Sequence, residues 1–426
     1  MKFESTRGHA PPVGFSAALL QGLAPDGGLY VPQQWPTLSA VAAGELPQVG
    51  TALIGAFAQE DALAAAVPEI VRDAFNFPAP LKKLSGTDAP RVLELFHGPT
   101  AAFKDFGARF LAASLARIPR SSSRPLRILV ATSGDTGGAV AAAFHRRPGI
   151  EVVVLFPKGL VSPTQQQQLT CWGGNVRSLA VRGSFDDCQR LVKEAFGDAT
   201  LRARAEMSSA NSINLGRLLP QAVYYASSSL AIQRDTGRPA SYIIPSGNLG
   251  NSAACIWAKQ MGFPIDRILL AHNANRTVPD FLASGKYEPR ASIPTLANAM
   301  DVGNPSNMER LLALFPDAAA LGRILRAVSV DDAAISARIR SDHARFGEIW
   351  CPHTATAAEA YARLTAEDRA AHQWVLVATA HPAKFRETVE PLVGTVPVPD
   401  NLRRLYELPS SFDEIDPTLD ALRSAT

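Results

Sequence analysis

The sequence predicts an α/β fold, with parallel or mixed sheets covered by helices and a small N-terminal domain in front. Two features carry this reading. Short continuous apolar runs alternate with helical periods from Arg91 onward, the signature of strands buried on both faces. The first ninety or so residues lack that alternation and are punctuated differently.

The N-terminal stretch, residues 1–90, has Gly/Pro punctuation between Gly22 and Pro36 and Ala-rich, helix-like segments from Ala40 to Ala74. The extended Phe77-Pro78-Ala79-Pro80 then suits a boundary, because proline disfavours helix in the residue before it. Residues 91–426 form the second region. Arg127 to Thr132 reads as a strand and Thr136 to His145 as a helix. Strands follow at Ile150 to Phe156 and Val176 to Val181, then helices over Asp186 to Phe196 and Leu215 to Gln233. Ser241 to Pro245 and Arg267 to His272 are strands flanking a helix at Asn251 to Gly262. Ala355 to Leu364 is helical, Trp374 to Ala380 extended, and Pro382 to Leu392 helical. There is no internal repeat, and the run Gln165 to Gln168 fits a polar helix surface.

Composition narrows the function. The chain has 426 residues, 46% hydrophobic and 19% charged, with a formal net charge of +3. No block of like charge marks a nucleic-acid or anionic-membrane partner. The N-terminus lacks a signal-peptide core and no run is long enough to span a bilayer, so the expected compartment is the cytoplasm. Four scattered cysteines, none in a C-x-x-C pair, give no expectation of a metal site or disulfide framework.

Two turns are built for anions. Ser246-Gly247-Asn248-Leu249-Gly250-Asn251 sits between a strand and a helix, where glycines let the backbone approach a phosphate and the helix dipole faces it. Ser246, Asn248 and Asn251 add neutral donors. A single such turn is as often plain geometry. A second, Ser133-Gly134-Asp135-Thr136-Gly137-Gly138, in the same context favours ligands carrying phosphate. Neither has the Lys-Ser/Thr ending of a nucleotide loop.

Lys104 opens an amphipathic helix over Phe106 to Leu115, after a turn at Gly98-Pro99. Pressed among Phe103, Phe106 and small residues, its amine is expected to be desolvated, which lowers its pKa and makes it nucleophilic. For an arbitrary lysine, pairing with Asp105 at a helix start is the better explanation.

Taken together, these segments resemble the threonine synthase family, in the branch found in yeast and many bacteria. The likeness runs through Ser5-Thr6-Arg7-Gly8, Gly22 to Pro32, Phe96 to Thr100 with Phe103-Lys104-Asp105, and Thr132 to Gly137. It continues at Asn211 to Asn214 with Arg217, Pro245 to Asn248, Asn298 to Val302 and Ala378 to Phe385. The resemblance implies a fold type II (tryptophan-synthase-β-like) enzyme using pyridoxal 5'-phosphate, with two α/β subdomains in residues 91–426 and the active site between them. It implies conversion of O-phospho-L-homoserine and water to L-threonine and phosphate. Lys104 matches the Schiff-base lysine, and Gly247, Asn248, Leu249 and Asn251 match the cofactor-phosphate turn. Thr379 matches the residue facing the pyridine nitrogen. Asn211, Ser212 and Arg217 match substrate-phosphate ligands, which converge if the chain bends at Asn214. Ser133 and Thr136 are placed near the substrate carboxylate or phosphate. Relatives of this branch are often monomeric, so a monomer or homodimer acting on that small-molecule substrate is expected. The sequence departs from the pattern at Arg276, where many relatives carry an acid, a change away from the cofactor contacts. A phospho-lyase yielding 2-oxobutanoate would use the same motifs. A dehydratase would leave Arg217 without a phosphate, and a non-catalytic relative would have lost Lys104 or the Gly247 turn.

Overall fold

The computed structural model describes residues 1–86, 89–120 and 124–426. Strands are numbered in chain order: β1 (Phe3–Ser5), β2 (Tyr30–Pro32), β3 (Leu81–Lys83), β4 (Arg91–Glu94), β5 (Leu126–Ala131), β6 (Ile150–Pro157) and β7 (Val176–Val181). They continue with β8 (Glu206–Ser209), β9 (Ala240–Pro245), β10 (Ile265–His272), β11 (Arg326–Ser329), β12 (Gln373–Ala378) and β13 (Asp413–Ile415). Among the described residues they form three sheets: an antiparallel pair β1-β2, a sheet in the order β11-β10-β9-β12-β4-β3, and a sheet in the order β13-β7-β6-β5-β8.

The expected α/β architecture is what the chain has. β9, β10, β11, β12 and β4 run parallel, and only edge strand β3 is antiparallel. The second sheet is parallel throughout. Buried apolar runs such as Leu126–Ala131 and Ala240–Pro245 fill strands covered by helices on both faces. One cluster of buried apolar residues runs from Phe3 through the helix Lys104–Leu115 to β9 and β10, so the N-terminal segment shares its core with the rest. The four cysteines are buried and unpaired. Among the described residues no helix is long and apolar enough to cross a membrane.

Two helices differ from expectation. The span Leu215 to Gln233 is not one helix but Leu215–Leu218 followed by Gln221–Thr236. Pro220 is the N-cap of the second, a place where its missing N–H costs nothing. Pro382–Phe385 is a 3₁₀ turn, and the α-helix Arg386–Val393 begins only after it.

Parallel strands present their carboxyl ends together, where open α/β sheets bind ligands. In the larger sheet β4 leads to the loop before Lys104, β9 to the turn at Ser246, and β12 to Thr379. In the smaller sheet β5 leads to the turn at Ser133 and β8 to Asn211.

Candidate active site

The loop after β4 is stitched to the end of β12. The Phe103 amide donates to the Thr379 carbonyl at 2.8 Å and the His381 amide to that of Ala101 at 3.0 Å. Ala101 adopts φ +52°, an uncommon conformation for a residue with a Cβ. Thr100 donates through both its amide (2.9 Å) and its hydroxyl (2.7 Å) to the buried Asp105 carboxylate. That clasp fixes the first turn of the helix Lys104–Leu115. Asp105 is thus engaged by Thr100, not by Lys104.

Lys104 is half-buried, and its amine lies deep in protein. Burial pulls the amine down to about 8; Asp135 opposes this, while Lys384 and Arg217 push the same way as burial. The helix can lie this close to Arg217 because residue 107 is glycine. A Cβ there would stand 2.5 Å from the Arg217 carbonyl oxygen.

The turn after β9 has the features of an anion cradle. Among the described residues the amides of Gly247, Asn248 and Leu249 donate to no protein acceptor. The helix Gly250–Gln260 begins immediately beyond, with Leu249 in the left-handed region at φ +62°. A Cβ on Gly247 would meet Met300 Cα at 2.7 Å, so only glycine fits. Of the three side-chain donors expected here, two are engaged within the protein. Ser246 Oγ donates to the Ile244 carbonyl, and Asn248 Nδ2 donates to Ser212 Oγ at 2.6 Å. Asn251 alone keeps a free donor: Oδ1 accepts from the Tyr224 and Tyr225 hydroxyls at 2.5 and 2.9 Å, which turns a buried, unpartnered Nδ2 outward from them. A buried amide nitrogen without an acceptor is costly unless a ligand supplies one.

On the facing side the chain bends at Asn214. Its carboxamide accepts from the Gly216 amide and donates to the Leu19 and Ser209 carbonyls. The bend brings Ser212 to Asn248 and buries Arg217 to 2% exposure. Arg217 donates to the Ala210 carbonyl, and its Nε has no partner. Burial lowers its pKa to about 10, opposed only by Asp105. A buried guanidinium without a paired carboxylate is unfavourable by itself and suits an incoming dianion. Asn211 is half-buried beside this bend.

The turn after β5 is more self-contained than its sequence suggests. Thr132 Oγ1 accepts from the amides of Gly134 (3.0 Å) and Gly137 (2.9 Å), removing two donors. Ser133 is exposed and Thr136 half-buried. Arg276, the departure from the family pattern, is on the surface, paired with Asp280 at 2.8 Å.

Three features escaped the sequence reading. Lys384, wholly buried, pairs with Asp135 at 3.0 Å. Arg310, also wholly buried, donates to the carbonyls of Tyr30 and Ile213 and to Asn307 Oδ1, while Asn307 Nδ2 donates to the Asn248 carbonyl. His353 accepts from the Ala299 amide and is pushed down to about 4 by burial, hence neutral. Lysines and arginines are rarely buried without function or partner, which was the available signal once burial was known.

An amine drawn down to about 8, a free-amide cradle and a neutral hydroxyl at Thr379 fit a phosphorylated aldehyde cofactor. The unpaired Arg217 fits a second phosphate. The comparisons agree. Residues 79–380 match the family model described as pyridoxal-phosphate dependent enzyme, 2–75 that of threonine synthase N terminus, and 354–425 that of threonine synthase, C-terminal. A threonine synthase from Haemophilus influenzae is 41% identical over 97% of this chain and 96% of its own length. One from Escherichia coli is 38% identical over 99% of this chain and 98% of its own. Among solved structures, PLP-bound threonine synthase from Brucella melitensis superposes with a TM-score of 0.92 at 35% identity, covering 100% of this chain and 98% of that one.

Proposed function

This chain belongs to the threonine synthase family of pyridoxal-phosphate-dependent enzymes, and we propose that Lys104 carries the cofactor and moves the protons of its reaction. The reaction converts O-phospho-L-homoserine and water to L-threonine and phosphate. The observation that carries the residue assignment is the pairing of a depressed Lys104 amine with a buried, unpaired Arg217 in one site.

In this reading the amides of Gly247, Asn248 and Leu249 and the free Nδ2 of Asn251 hold the cofactor phosphate. Thr379 would meet the pyridine nitrogen with a neutral hydroxyl, which would leave that nitrogen less charged than an acid would. When bound, the cofactor takes up the electrons released as protons leave the substrate. Arg217, with Asn211 and Ser212, holds the substrate phosphate and stabilises the charge it carries away. Ser133 and Thr136 line the carboxylate or phosphate end of the substrate. The Lys104 amine takes the proton from Cα, and later protons are removed at Cβ and returned at Cγ and Cα. One base can serve several carbons only if it is mobile and poised near neutrality, as an amine at about 8 is. Water adds at Cβ once phosphate has left Cγ.

Incubation with O-phospho-L-homoserine, with phosphate release coupled to chromatography of the amino acid, tests the outcome. One threonine per phosphate is expected; 2-oxobutanoate in its place would mark a phospho-lyase. Arg217→Met should lower kcat/KM by about 100-fold. It should leave the urea midpoint equal or higher, because an unpaired buried charge has been removed. A lower midpoint with unchanged kcat/KM would make Arg217 structural.

We further read residues 1–90 as an N-terminal unit, of which only β3 joins the larger sheet, and 91–426 as the catalytic region of two α/β subdomains. The near-balanced charge speaks against nucleic acid as a partner, and the family resemblance points to a cytoplasmic monomer or homodimer.

A further inference from the structure

Two lysines share one buried site. Lys384 Nζ lies 3.0 Å from Asp135 Oδ1 and donates to the Thr100 carbonyl at 2.8 Å, with the lysine side chain 0% and the aspartate 4% exposed. Thr100 is the residue whose amide and hydroxyl clasp Asp105 at the start of the Lys104 helix, and Gln168 Nε2 reaches the same carbonyl at 3.2 Å. Lys384 therefore ties the turn after β5 to the loop that delivers Lys104. It comes from the 3₁₀ turn Pro382–Phe385, directly beyond Thr379.

The charges facing Lys104 from the surrounding elements are Asp135, Lys384 and Arg217, with His353 close by. Asp135 in turn faces Lys384, Lys104 and His353. Asp105 also feels Lys384, but its oxygens are taken by Thr100. His353 is neutral, and among the described residues Asp135 is the one carboxylate whose field favours a charged Lys104. We propose that Lys384 is a positioning residue that acts as the resident cation of Asp135, so that this carboxylate meets Lys104 already paired and leaves its amine free to react. This rests on the assignment of Lys104 as the cofactor-bearing amine.

In a low-dielectric site, one carboxylate facing two lysines stabilises one ion pair, and the second amine, with Arg217 also near, sheds its proton more readily than in water. Lys384 has the short contact, so it takes the charge. Without it, Asp135 would turn to Lys104 and keep that amine protonated. The low-lying pKa of Asp135, caused by Lys384 first and Lys104 second against the cost of burial, agrees with a carboxylate that stays ionised in the pair.

The test follows cofactor uptake by apoenzyme across pH, read by growth of the visible absorption band, in wild type, Lys384→Met, Lys384→Arg and the Lys384→Met/Asp135→Asn double variant. Borohydride fixation and peptide mapping of the wild-type holoenzyme come first; label on a residue other than Lys104 overturns the Lys104 assignment itself. With label on Lys104, wild-type uptake should rise with pH through about 8. In Lys384→Met the midpoint should move up by about one pH unit, which is an approximately ten-fold slower uptake at pH 7. Lys384→Arg should keep the wild-type midpoint, and the double variant should return toward it. An unmoved midpoint in Lys384→Met overturns the inference while leaving Lys104 in place. If that variant does not fold, a double variant whose midpoint lies well above wild type overturns it equally.

Discussion

Lys104→Ala is expected to remove the visible absorption of the holoenzyme and to lower turnover by at least about 10⁴-fold. The size follows from losing two roles at once. The amine is the group that binds the aldehyde carbon covalently, and it is the base placed to move protons between substrate carbons. No neighbour can stand in: Lys384 is held by Asp135 and the Thr100 carbonyl, and Arg217 cannot give up its proton at working pH. The fold should survive, because Lys104 is half-buried and its helix is anchored by the Thr100–Asp105 clasp. Far-UV circular dichroism and the urea midpoint check that point. Turnover above a hundredth of wild type would falsify the assignment.

Arg310→Ala should have the largest effect on stability, about 3–4 kcal/mol. Arg310 is a wholly buried guanidinium that touches no substrate group in this reading. It joins the carbonyl of Tyr30 in β2 to that of Ile213 and to Asn307, which in turn holds the Asn248 carbonyl. Truncation leaves two buried acceptors and the part-buried Ile213 carbonyl without their donor and opens a void. Arg310→Met refills much of the void but leaves the acceptors stranded, so its loss should remain more than half as large. Urea denaturation measures both. A secondary loss of cofactor affinity is expected, since Asn307 no longer steadies the turn at Asn248. A midpoint equal to wild type in both variants would show that the carbonyls find other partners.

Much of the site was legible because its parts are local. The Ser246 turn announces itself by glycines between a strand and a helix, and Lys104 by an amphipathic run after Gly98-Pro99. The bend at Asn214 needed only a side chain suited to capping. The site residues with family matches were named from strings, yet what several of them do locally was not readable. Asn248 offers an amide side chain in sequence, but Ser212, thirty-six residues away, occupies it. The Lys384–Asp135 pair and the Arg310 brace are facts of tertiary distance, and Pro-Ala-Lys-Phe reads only as a helix start until Asp135 is placed beside it. In the fold, long apolar strands such as β5, β6 and β9 were visible. β3, β4 and β8 were not, because three or four residues carry no measurable period. The break at Pro220 was a missed stop signal, since proline there was plain in the chain.

The buried thiols bear on how the molecule ages. Thiolate is the form that attacks peroxides and disulfides, and burial pushes Cys171 up to about 11 and Cys188 to about 12, with Cys255 and Cys351 also raised. At pH 7 a thiol near 11 exists as thiolate in about one part in ten thousand. Air and mild oxidants should therefore leave the native protein's thiols intact, and these should become reactive only when it unfolds.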